Sequence, residues 1–119
     1  MSVFKYPLKI NQGSTFDKTV TWKTGAPPVP VDLTGCTARG QIRSEIDSPT
    51  VLVEMTTLNG RITLGGATGT IRFLFEDELT ETFFWDSGVY DVEIVFPDGT
   101  VQRKLAGAVS VSPEVTRNA

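Results

Sequence analysis

Apolar and polar residues alternate with a period of two along most of this chain. Over residues 16–23, Phe16, Val20 and Trp22 fall on one side with Lys18 as the odd member. Asp17, Thr19, Thr21 and Lys23 fall on the other. A beat of two sends successive side chains to opposite faces of a pleated backbone, so this stretch predicts a half-buried strand. Residues 37–46 repeat the beat, with Ala38, Gly40, Ile42 and Ser44 inward and Thr37, Arg39, Gln41, Arg43 and Glu45 outward. Further strands are predicted over 51–55, 61–64, 70–75, 89–96, 100–105 and 108–112. In the fifth of this series of eight, Ile71, Phe73 and Phe75 make one apolar face.

Turn signals separate the strands: Gln12-Gly13, residues 25–30, Leu33-Thr34-Gly35, Asn59-Gly60, Gly65-Gly66, Asp98-Gly99 and Gly107. About eight short strands at this spacing predict an all-β fold, an antiparallel β-sandwich. The stretch EDELTETFFWDSG, Glu76 to Gly88, breaks the rhythm. Its helix formers, acidic first turn and closing glycine predict one short helix or 3₁₀ turn crossing between the sheets. The whole of 1–119 reads as a single domain, with loose ends at about residues 1–5 and 114–119.

Composition narrows the chemistry. A chain of 119 residues, 39% apolar and 21% charged, can bury a core without metal or disulfide. No window approaches the roughly 18 apolar residues of a membrane span, and the amino terminus has no apolar stretch of the secretory kind. No membrane partner is expected. The sole cysteine, Cys36, forbids an internal disulfide and fits folding in a reducing cytoplasm; it reads as a small core residue. A net charge of −3, with eleven scattered basic residues, argues against nucleic acid as a partner. The chain contains no histidine, which removes the commonest general base and most zinc and iron sites. Neither enzymatic activity nor a cofactor or metal is expected.

Several residues still invite a functional reading. Asp91 and Glu93 share the outward face of a strand, about 7 Å apart, and Asp98 follows in the turn. They could bind Ca²⁺ or act as an acid/base pair. The alternative is a hairpin whose charges face water. Asp98-Gly99 predicts a type I′ turn, and pairing Phe96 with Val101 brings Glu93 near Lys104 and Asp91 near Ala106. The hairpin is the preferred reading. The proline-rich loop containing Pro27 and Pro28 reads as a stiff connection that can also serve as a contact point. Phe83, Phe84 and Trp85 cannot all face the core from one short helix. Phe84 and Trp85, with Phe4 and Tyr6 of the amino-terminal arm, therefore join Pro27 and Pro28 as candidate protein-contact residues. The segment Gly65-Gly66-Ala67-Thr68-Gly69 lacks the Lys-Ser/Thr and the following helix of a phosphate loop, and reads as a turn.

Three segments in order carry a resemblance: INQGSTFDKTVTWKTG (residues 10–25), VDLTGCTARGQIRS (31–44) and GVYDVEIVFPDGTVQRKLAGAVSVSPEVTR (88–117). Their QGxTF, DLTGxxxxxxIR and YDxExxxxDGxxxxxxxGxxxVxxxVTR patterns resemble a group of small β-sandwich proteins and domains of tailed-bacteriophage virions. The resemblance implies a non-enzymatic building block, an adaptor or accessory protein of the tail, tail fibre or baseplate. It would be made in the host cytoplasm and located in the virion, held by other virion proteins and by copies of itself. Pairing of an exposed sheet edge is one natural route into such an assembly. A capsid decoration protein is the first alternative. A carbohydrate-binding module gripping the host surface through Trp85 is the second.

Overall fold

The computed structural model describes residues 3–116. Of the ends expected to be loose, residues 1–2 and 117–119, including Arg117 of the terminal pattern, lie outside the described residues. In chain order the strands are β1 (Phe4–Lys5), β2 (Leu8–Asn11), β3 (Phe16–Thr21), β4 (Lys23–Thr24), β5 (Val29–Pro30) and β6 (Thr37–Arg43). They continue as β7 (Val53–Thr56), β8 (Ile62–Leu64) and β9 (Thr70–Phe75). One short helix, α1 (Asp77–Thr80), precedes β10 (Ser87–Val95) and β11 (Val101–Ser112).

The fold is all-β. A six-stranded sheet has the order β1–β11–β10–β6–β7, with β2 also on β11; a three-stranded sheet has the order β3–β9–β8. Strands β4 and β5 form a separate hairpin. The two larger sheets share one core. Leu8, Ile10, Ile42, Val92 and Ile94 come from the first, and Phe16, Ile62, Ile71, Phe73 and Phe75 from the second. Phe73 meets Tyr90 edge to face between the sheets, ring centroids 5.9 Å apart. Helix α1 carries the chain from one sheet to the other, as expected, but it is a single turn. Gly88 does not stop it: this glycine is the second residue of β10, where an added Cβ would stand 2.7 Å from the carbonyl of Arg43.

Strand β11 departs most from expectation. The two strands predicted on either side of Gly107 are one continuous strand of twelve residues. It pairs antiparallel with β10 on one side and parallel with β1 and β2 on the other, so the sheet is mixed. A β-bulge lies where Val92 faces Leu105 but Glu93 faces Arg103. The extra residue, Lys104, turns inward beside Leu105, and both are buried. Val109 and Val111 fall in phase with Leu105, but Lys104 is one step out, and only an inserted residue reconciles the two phases. The cation of Lys104 sits over the Trp22 ring, 4.1 Å from its centroid, and Trp22 in turn meets Phe96 edge to face. Burial holds this ammonium below the ordinary lysine range.

The β10–β11 turn also differs from type I′. Gly99 alone has positive φ, +90°, and its N–H donates to the carbonyl of Phe96. Pro97 restricts φ to negative values, which a type I turn followed by a left-handed glycine accommodates and a type I′ turn does not.

Gly107 lies where the amino-terminal segment crosses β11. Tyr6 donates its N–H to Ala106, and Pro7, lacking an N–H, interrupts the pairing between β1 and β2. The Tyr6 carbonyl swings over Gly107 and accepts the Tyr90 hydroxyl at 2.6 Å. A Cβ at Gly107 would come within 2.6 Å of that carbonyl oxygen. Gly107→Ala should therefore destabilise by about 1–3 kcal/mol through overpacking. Tyr90→Phe should cost about 1–2 kcal/mol by removing the donor. Equilibrium denaturation of both variants checks this; wild-type stability in Gly107→Ala would show that the crossing is loose.

Candidate interaction surface

The acidic residues of β10 stand on the outer face of the six-stranded sheet, each with its own neighbour. Glu93 accepts from Arg39 Nε at 2.8 Å, on the strand beside it, so the bulge and β6 together replace the predicted Glu93–Lys104 pair. Asp91 lies opposite Ala106, as predicted, with Arg103 at a looser 3.9 Å. Asp98 accepts the N–H of Thr100 at 2.9 Å, which holds its carboxyl below the usual range. The three carboxylates do not converge on one point. Among the described residues, no group of three or more Cys, Asp or Glu side chains is placed to hold a metal ion.

Asp91 is the one strand carboxylate with a raised pKa. Partial burial is the main cause and the Glu93 charge the second, opposed by Arg103 and Arg43. It sits in a trough of about 690 Å³ on this outer face. Val89, Ala106 and Ala108 floor the trough; the arm Lys5-Tyr6-Pro7 forms one wall and the stretch from Arg43 to Ile46 the other. Arg43 is held in place by the Ser48 carbonyl at 2.6 Å and the Gln41 side chain at 2.7 Å.

The contact candidates are dispersed. Phe4 is 42% exposed on the edge strand β1, whereas Tyr6 is half-buried and occupied by the Gly107 crossing. Pro27 and Pro28 are exposed at the tip of the β4–β5 hairpin, whose base joins Val31 N–H to the Trp22 carbonyl. After α1 the three aromatics divide. Phe83 is buried against Phe75, Trp85 lies half-buried on Phe83 at 4.9 Å, and Phe84 is 86% exposed. Phe84 precedes the first residue of β10, while the proline hairpin adjoins Trp22 and Phe96 beyond its last. About 30 Å of strand separates them.

Sequence reasoning missed Gln12. Its buried side chain donates to the carbonyl of Phe83 at 3.1 Å and accepts the N–H of Glu114 at 3.1 Å, tying the turn before Phe84 to the chain beyond β11. The signal was present: Gln12 continues the inward phase of Leu8 and Ile10, and a polar group there must find partners. The trough was foreshadowed by Ala106 and Ala108, two small residues in successive outward positions of one strand.

No protein-family model matches the chain, and no curated protein matches it.

Two measurements follow from these contacts. Gln12→Ala should lower stability by about 1–3 kcal/mol, because buried backbone groups lose partners; denaturant unfolding reads this directly. By NMR, Asp91 should titrate above an ordinary aspartate, moving down in Glu93→Gln and up in Arg103→Ala. Because the folded state holds this proton more tightly, stability should fall as pH rises through the window above the ordinary aspartate pKa. Asp91→Asn should abolish that part of the fall.

Proposed function

We propose that this protein is a non-enzymatic structural component of a tailed-bacteriophage virion, an adaptor or accessory protein of the tail, tail fibre or baseplate. The resemblance of its three segments to virion β-sandwich proteins suggests the setting. One structural observation carries the role: the groups fit for contact, Phe84, Phe4 and the Pro27-Pro28 tip, project from separate parts of the surface. Asp91 and Glu93 meanwhile lie beside individual arginines. Such a distribution suits a body that touches several neighbours better than one that encloses a substrate.

Two of the sheet edges, β7 and β3, favour contact through side chains rather than strand addition. On edge strand β7, Thr56 N–H donates to Asn59 Oδ1, and the Glu54 carbonyl accepts from both Asn59 and Arg61. Edge strand β3 carries an exposed Lys18 in its inward phase. Capped backbone groups and inward-phase charges are both ways in which proteins discourage edge-to-edge pairing. A glycan-binding role draws less support, because Trp85 is stacked on Phe83 rather than presented in an open row of aromatics.

Antibody labelling and mass spectrometry of purified particles test the proposal. A few to tens of copies at the tail are expected, and hundreds would indicate a shell protein. Combined substitution of Phe4, Pro27, Pro28 and Phe84 should reduce incorporation while leaving the circular-dichroism spectrum unchanged. Absence of the protein from intact particles would overturn the proposal.

A further inference from the structure

The geometry points to a second copy of this chain as the occupant of the outer-face trough, inserting Phe84 and the acidic turn before it. The trough is a cationic spot on an acidic protein: Lys5, Arg43 and Arg103 line it against a single carboxylate, Asp91, although the chain's net charge is −3. Its floor of Val89, Ala106 and Ala108 is apolar and shallow in side chains. Ile46 stands at the rim, 89% exposed. An occupant that fits must therefore bring an apolar group for the floor and carboxylates for the rim.

One segment of the molecule has that composition. Glu76, Asp77, Glu78 and Glu81 crowd within six residues, and none of the ion pairs among the described residues involves them. Their mutual repulsion, chiefly from Asp77 and then Glu76, raises the carboxyl pKa of Glu78, so nearby cations would relieve an existing strain. Phe84 follows three residues after Glu81, its side chain exposed on a backbone that is held in place. Phe83 anchors it on one side, Trp85 on the other, and Gln12 holds the intervening carbonyl. An aromatic presented on a supported turn beside complementary charge is the kind of group that dominates interfaces, because little backbone freedom is lost when it docks.

The two features are also close enough to act reciprocally. Phe84 and Val89 are five residues apart, at most about 18 Å of extended chain. Knob and trough therefore lie near the same end of the six-stranded sheet. Two copies related by a two-fold axis can each insert the knob into the other's trough, which closes the assembly as a dimer. This inference does not rest on the virion proposal and stands or falls separately.

Sedimentation equilibrium of the full chain across concentration and salt tests it. Wild type should dimerise, with an affinity falling as salt rises, since the rim contacts are exposed charges. Phe84→Ser and Arg103→Glu should each weaken dimerisation at least tenfold. Both residues are exposed, and circular dichroism verifies that the variants fold. Mixing the two variants leaves one intact contact, the knob of Arg103→Glu in the trough of Phe84→Ser, and one contact broken on both sides, so the mixed pair should stay weaker than wild type. A wild-type chain monomeric at all concentrations, or a dimer indifferent to both substitutions, would overturn the inference. So would a dimer that depends on only one of the two substitutions, because knob and trough must act together.

Discussion

The crossing of the amino-terminal segment over Gly107 is the constraint on which the rest of the structure depends. Tyr6 passes so close to β11 that no side chain fits beneath its carbonyl, and the Tyr90 hydroxyl holds it there. Beyond the crossing, β2 aligns with β11 and delivers Leu8 and Ile10 to the core, where both are fully buried. Each such side chain contributes about 1.5–3 kcal/mol by leaving water. The same crossing places Lys5, Tyr6 and Pro7 as one wall of the trough. Core, edge and candidate surface thus share one point of attachment.

The bulge at Lys104 is a second constraint, acting only a few residues along the same strand pair. By adding one residue to β11, it lets Leu105, Val109 and Val111 face inward while Arg103 faces outward beside Asp91. It also brings a lysine over Trp22, where a ring face partly compensates for lost hydration. A shift of one residue there exchanges the charges available on the outer face. The pairing of Glu93 with Arg39 rather than Lys104 is the direct result.

Gln12 shows how polar burial organises a surface. An amide group can donate and accept at once, and here it joins the Phe83 carbonyl to the Glu114 N–H. Phe84 is therefore displayed on a supported turn. The sequence pattern made the aromatic cluster visible, and it made clear that not all three rings could be buried. It could not show which ring would be left outside, because that depends on Phe75 and Gln12, which are distant in the chain.

The all-β class, the strand at 70–75, the crossover helix and the outward placement of Asp91 and Glu93 were legible from the chain alone. Each follows from side-chain period or local turn chemistry, which neighbouring residues suffice to specify. Tertiary structure decided the rest: the parallel pairing of β1 and β2, the unbroken course of β11 through Gly107, the bulge, the ring left exposed and the trough. These depend on which strands become neighbours and on how closely their backbones approach. Contacts between residues about a hundred positions apart determine both, and no local pattern encodes them.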